Sequence, residues 1–112
     1  MIEERRSVPR YPFSALAEVI HSSGAEIRAQ VIEISVAGCA LAAKRTLSVG
    51  AEVTIKIHTP ADYFQTWAMV VYSNVKGMGL VFHSTAPPFL HVLHKWVTSA
   101  RSAAATVVND AY

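Results

Sequence analysis

The chain is 112 residues long, 52% hydrophobic and 16% charged, with a formal charge of +2. That length fits one domain, the apolar content excludes a disordered chain, and the small net charge excludes a bulk polyelectrolyte. Any anion site must therefore come from local clustering of cations.

Residues 1–12 are polar and basic and are broken by Pro9 and Pro12. Proline lacks an N–H and biases the residue before it toward extended geometry, so this segment reads as an extended arm leading into the domain. Runs with strand character follow. "ALAEVIH" (15–21) ends at the turn signal "SSGA". "EIRAQVIEI" (26–34) is rich in β-branched residues, but its apolar phase shifts. Ile27, Ala29 and Val31 share one parity, Ile32 and Ile34 the other. A bulge, or burial on both faces, accounts for the shift.

"SVAG" (35–38) turns the chain into a short strand, "CALAA" (39–43). "EVTIKIH" (52–58) alternates strictly, as a strand with one wet face requires. "QTWAMVVYS" (65–73), the turn "NVKG" and "MGLVFH" (78–83) complete the strands. Short, closely spaced strands with no helix between them predict an antiparallel sheet closed into a barrel, which removes its edges.

After "STAPP" the period changes: Phe89, Leu90, Leu93, Trp96 and Val97 fall at helical spacing. One amphipathic helix is expected there. Its apolar stripe either closes a mouth of the barrel or docks on a second subunit as a homodimer. The expected organisation is an arm (1–12), a barrel plus helix (13–102) and a tail (103–112) that extends the helix or frays.

The chemistry concentrates in two places. The arm carries Arg5, Arg6 and Arg10, and the long strand ends in Glu33-x-Ser35-x-x-Gly38. Residues two apart on a strand share a face, so Glu33 and Ser35 are expected to project together. Gly38 permits a tight turn and a close backbone approach by a ligand.

These residues resemble the two motifs of PilZ domains, R-R-x-x-x-R and [D/N]-x-S-x-x-G, in the same order on a chain of suitable length. The "AMVVYS…GMGLVF" segment is similar to that family's final hairpin. The resemblance implies a bacterial six-stranded antiparallel β-barrel with a flanking C-terminal helix, and a receptor for cyclic di-GMP. It implies that Arg6 and Arg10 contact phosphate and guanine, that Arg5 supports the ligand, that Ser35 adds polar contacts, and that Gly38 shapes the turn. Arginine suits such a ligand physically: its fork matches phosphate oxygens and the O6/N7 edge of guanine, and its flat face stacks on bases. An arm ordered by the ligand would change the surface shown to a downstream protein partner.

Glu33 departs from the pattern, which has Asp or Asn. Glu keeps the acceptor and adds a methylene, roughly 1.5 Å of reach. It either bends back onto a guanine edge, crowds the pocket, or pairs with an arm arginine and holds the site shut. A degenerate PilZ domain that binds a protein partner without nucleotide is therefore the competing reading. A barrel binding single-stranded nucleic acid is disfavoured by the low charge and the few strand aromatics.

Other residues read more plainly. Trp67 is expected to be buried in its strand, while Tyr72 suits either the core or stacking on a base. His91 and His94 stand three apart on the helix with no third ligand converging, so no metal is expected. Cys39 reads as a small buried hydrophobe. Without a nucleophile elbow, a phosphate-cradling glycine loop or a metal cluster, no enzyme is expected and no cofactor is called for.

The single cysteine excludes an intrachain disulfide and suits a reducing compartment. No apolar run approaches the roughly 20 residues of a membrane span. The charged first residues are not followed by the apolar stretch of a secretory signal. A cytoplasmic domain without membrane insertion is the expectation.

Overall fold

The computed structural model describes the backbone of residues 8–110 and the side chains of residues 8–104. Six strands, β1 (Tyr11–His21), β2 (Glu26–Ile34), β3 (Gly38–Ala42), β4 (Glu52–His58), β5 (Tyr63–Asn74) and β6 (Gly77–His83), precede one helix, α1 (Pro87–Asp110). Every pairing is antiparallel, and the strands close in the order β1-β2-β3-β6-β5-β4, with β1 against β4 completing the barrel. The closed antiparallel barrel expected from the strand pattern, with the helix expected from the change of period and the six strands that the resemblance implies, is the observed fold.

Boundaries differ at the ends. β1 begins at Tyr11 rather than Ala15, because Tyr11 and Pro12 pair with Ile34 and Glu33. The helix continues through the alanine-rich segment to Asp110, as the high helix propensity of alanine favours.

Alternation builds the core. Val53, Ile55 and Ile57 of β4, Ala68 and Val70 of β5, and Met78 and Leu80 of β6 all point inward and are buried. Phe64 is fully buried near the start of β5 and organises the helix contact. Its ring centroid lies 5.9 Å from Trp96, 6.2 Å from Phe89 and 5.1 Å from Phe82, while Phe13 lies 5.3 Å from Trp96. The Phe89–Leu93–Trp96 stripe therefore closes the barrel end where β1 and β5 begin and β4 and β6 finish, with Leu93, Trp96 and Ala100 buried. Truncating a buried aromatic of this kind costs about 3–5 kcal/mol, which makes the helix part of the barrel's core.

Polar clips fix the link into the helix. Thr66 Oγ1 donates to the His83 carbonyl at 2.9 Å and lies 2.8 Å from Thr85 Oγ1. Lys95 Nζ meets Asp62 Oδ2 at 2.8 Å, tying the helix to the β4–β5 loop.

Three bulges interrupt the ladders, and they determine which side chains reach the outside. In β2, Val31 pairs with Leu41 and Glu33 with Ala40, so Ile32 is the extra residue. In β5, Val70 pairs with Leu80 and Tyr72 with Gly79, so Val71 is the extra residue. β1 carries its own shift between Pro12 and Ala15, opposite Ile32. A bulge reverses the parity of everything beyond it. The phase shift in "EIRAQVIEI" is thus a bulge and not two-sided burial: Ile34 turns into the core while Ile32 is exposed.

Candidate ligand-binding site

The two bulges in β2 and β5 flank the β3–β6 pair at the same level. By simple alternation both Glu33 and Tyr72 would follow Val31 and Val70 into the core. Because Ile32 and Val71 each absorb one step, both turn outward instead. They end one continuous row across the barrel's outer surface: Glu33 of β2, Ala40 of β3, Gly79 of β6 and Tyr72 of β5. The two middle members are small, so the row is a shallow trough with a carboxylate at one end and a phenol at the other. The Tyr72 ring lies directly over Gly79, where any side chain would overlap it.

The β2–β3 corner forms one wall. Ser35 is only 4% exposed, and its hydroxyl is committed to the turn. Ser35 Oγ accepts from the N–H of Ala37 and of Gly38 at 3.1 Å each and donates to the Gly38 carbonyl at 3.3 Å. The Ser35 N–H bonds the same carbonyl at 2.9 Å. The expectation that Glu33 and Ser35 project together is therefore corrected. Ser35 lies past the strand end and is buried within the turn, while Glu33 stands half-exposed on the row. Gly38 also differs in its reason. Its φ is not positive, and the backbone that comes close to it is β6, since a β-carbon at Gly38 would overlap the Leu80 carbonyl oxygen.

The corner and three members of the row, Ala40, Gly79 and Tyr72, border a cleft of about 280 Å³, at the small end for a ligand site, while Glu33 stands beyond its lining. Arg10 and Val8 form its other wall, and the Arg10 side chain is exposed. Arg10 enters β1 immediately before Tyr11, which the Tyr11–Ile34 pairing anchors beside the corner. Arg5 and Arg6 lie outside the described residues.

The electrostatics agree with the geometry. Burial raises the Tyr72 phenol above its ordinary value; the Glu33 carboxylate raises it further and the Arg10 guanidinium offsets part of the rise. Tyr72 is therefore a protonated hydrogen-bond donor at neutral pH, within the fields of both charges. Among the described residues Glu33 and Arg10 form no ion pair with each other. Cys39, at the cleft floor, is buried and its thiol is pushed up to about 12. A thiol held neutral is a poor nucleophile, as the sequence reading had it.

Two aromatics diverge from simple expectation. Tyr72 is 40% exposed and belongs to the site. Trp67, expected to be buried, is 62% exposed, because Thr66 and Ala68 occupy the inward positions on either side of it. His91 and His94 are exposed on the helix. No cluster of three or more metal-ligating side chains occurs among the described residues, and no helix there is long and apolar enough to cross a membrane.

The PilZ domain family profile matches residues 4–99, which includes both arginine-bearing and corner segments. The chain belongs to the PilZ domain family.

Solved structures, PilZ domains among them, share the fold at low identity. The PilZ domain of YcgR from Escherichia coli with c-di-GMP superposes with a TM-score of 0.75 at 12% identity, covering 94% of this chain and 98% of that one. The Bacillus subtilis inhibitor of motility MotI/DgrA gives 0.71 at 21% identity, covering 88% of this chain but 52% of the other. The PilZ domain of CeSA from a cellulose-synthesizing bacterium gives 0.66 at 15% identity, covering 81% and 96%. No curated protein sequence matches the chain. PilZ domains are ligand-binding receptor domains, and no enzymatic family is indicated.

Proposed function

We propose that this PilZ domain is a cyclic di-GMP receptor of the bacterial cytoplasm, and that the ligand occupies the cleft between Arg10, the Ser35–Gly38 corner and Tyr72. One observation carries the reading: Arg10, the last arginine of the arm motif, stands exposed and, among the described residues, without an ion pair, beside a cleft that Ser35 and Gly38 of the second motif also line. A cyclic dinucleotide needs cations for two phosphates, a flat surface for a purine and acceptors for the guanine N1 and N2 edge. Arg6 and Arg10 serve the phosphates and a guanine edge, with Arg5 in support. The Tyr72 ring offers a stacking surface. Glu33, at the far end of the same row, accepts from guanine. Ser35 and Gly38 act through the turn, which holds the backbone of the corner in place. Closure of the arm ahead of β1, residues 1–10, over the bound ligand changes the surface shown to a protein partner.

YcgR of Escherichia coli is described as binding c-di-GMP, in its isolated PilZ domain and in its complex. That supports the ligand class.

Calorimetric titration of cyclic di-GMP into the protein tests the proposal. Saturable heat is expected, with a stoichiometry that separates one bound molecule from two. Arg6→Ala and Arg10→Ala should each weaken binding by about 1.5–3 kcal/mol, the worth of a charge-assisted hydrogen bond. Absence of heat at high micromolar ligand would favour the second reading, a nucleotide-independent interaction module. The observation on its side is that the Ser35 hydroxyl is already consumed by the turn.

A further inference from the structure

The opposite end of β3 carries a second concavity with different chemistry. It lies on the outer face of β1, β2 and β3, encloses about 400 Å³, and is bordered by Leu16, Arg28, Gln30, Ala42, Lys44 and Arg45, with Glu26 at its edge. Pairing explains the arrangement. Gln30 sits between Leu16 on β1 and Ala42 on β3, so all three share the outer face. Gln30 is drawn aside, its Nε2 donating to Ser14 Oγ at 2.8 Å. That leaves an apolar floor of Leu16 and Ala42, and Leu16 is 69% exposed.

The rim carries an excess of cations. Arg28, Lys44 and Arg45 are exposed and form no ion pair among the described residues. Glu18, directly across the strand pair from Arg28, lies instead 3.7 Å from His58. Three cations against the single carboxylate of Glu26 concentrate positive charge here in a chain whose formal total is only +2.

We infer that this groove docks an acidic protein segment that carries an aliphatic side chain among its carboxylates. The charge is complementary, and the exposed leucine offers an anchor that isolated surface ion pairs, weak singly, do not provide. No aromatic side chain lines the groove, which disfavours a single-stranded nucleic acid that binds by stacking. A flat lipid surface would reach the rim and leave the floor empty.

The test uses the full chain, isotope-labelled for NMR, and a fluorescein-labelled dodecapeptide of aspartate and glutamate with two leucines. Saturable anisotropy is expected, with amide shifts confined to Arg28–Gln30 and Ala42–Arg45. Replacing the peptide leucines by serine, or substituting Arg28→Glu with Arg45→Glu, should weaken binding at least tenfold. Lys44→Glu alone should give a smaller loss, and an unchanged urea midpoint certifies each fold. Cyclic di-GMP titrations of these variants should match those of the parent chain. Shifts outside the groove, indifference to charge reversal, or tighter binding through the same residues by oligothymidine or by phosphatidylglycerol vesicles would overturn the inference.

Discussion

The β3–β6 pair is bounded by two turns built on the same plan. At one end Ser35 Oγ accepts the N–H groups of Ala37 and Gly38; at the other Asn74 Oδ1 accepts those of Lys76 and Gly77 at 2.8 and 3.2 Å. Each turn finishes in a glycine pressed against the opposite strand, Gly38 against the Leu80 carbonyl and Gly77 against that of Leu41. Yet the capping side chain of one turn, Ser35, is buried beside a cleft, with Val36 49% exposed at the tip, while the other turn is open, with Val75 90% accessible at its tip. The comparison separates two roles that a motif such as S-x-x-G merges. The hydroxyl and the glycine make a turn, and an ordinary hairpin makes the same turn with asparagine. The corner becomes a candidate site through what surrounds it: Arg10 from the arm, and the bulges that bring Glu33 and Tyr72 to the outer face.

The largest effects should treat both ends alike. Gly38→Ala and Gly77→Ala each drive a β-carbon into a backbone carbonyl that cannot move without parting the strands. Each should cost about 3 kcal/mol or more in urea denaturation, enough to unfold a marginal domain. If Gly38→Ala left stability intact, the glycine would be serving a ligand and not the β6 approach.

The next pair should split the two ends. Ser35→Ala leaves the buried Gly38 N–H and the part-buried Ala37 N–H without an acceptor and should cost about 2–3 kcal/mol. Asn74→Ala leaves the exposed Lys76 N–H to water and only the part-buried Gly77 N–H short of an acceptor, and should cost about 1 kcal/mol. Equal losses would show that the corner is as solvated as the hairpin, and the burial argument would fail.

How much of this was readable beforehand depends on where polarity marks the phase of a strand. The β4 strand announces itself, since Val53, Ile55 and Ile57 alternate with polar neighbours. In β2 the apolar parity breaks visibly at Ile32, so a bulge was foreseeable there. In β5 the run Val70-Val71-Tyr72 is apolar throughout, and a bulge inside it leaves no trace in composition. The placement of Tyr72 on the site was therefore hidden, although the residue itself was noticed. Trp67 departs from expectation for a related reason: its bulk argues for the core, but Thr66 already fills the inward position, its hydroxyl satisfied by His83 and Thr85. Arg10, Glu33, Ser35 and Gly38 are legible by motif, and the structure shows that Ser35 and Gly38 build the turn.

The smallest effect on the fold should be the most informative about the site. Gly79→Ala places a methyl group in the Tyr72 ring, not in backbone, so the ring can swing away at a stability cost of about 1 kcal/mol or less. If Tyr72 stacks on a guanine, that displacement should weaken cyclic di-GMP binding nearly as much as Tyr72→Ala does, by about 1–3 kcal/mol. The two changes act through one ring, so they should not add: in a Tyr72→Ala background, Gly79→Ala should leave affinity unchanged. The same substitution at Gly77, on the hairpin turn, has no such ring above it and offers no path to the ligand except through the fold. An additive cycle would mean that Gly79 approaches the ligand by its own backbone, and the trough between Glu33 and Tyr72 would need to be redrawn around β6.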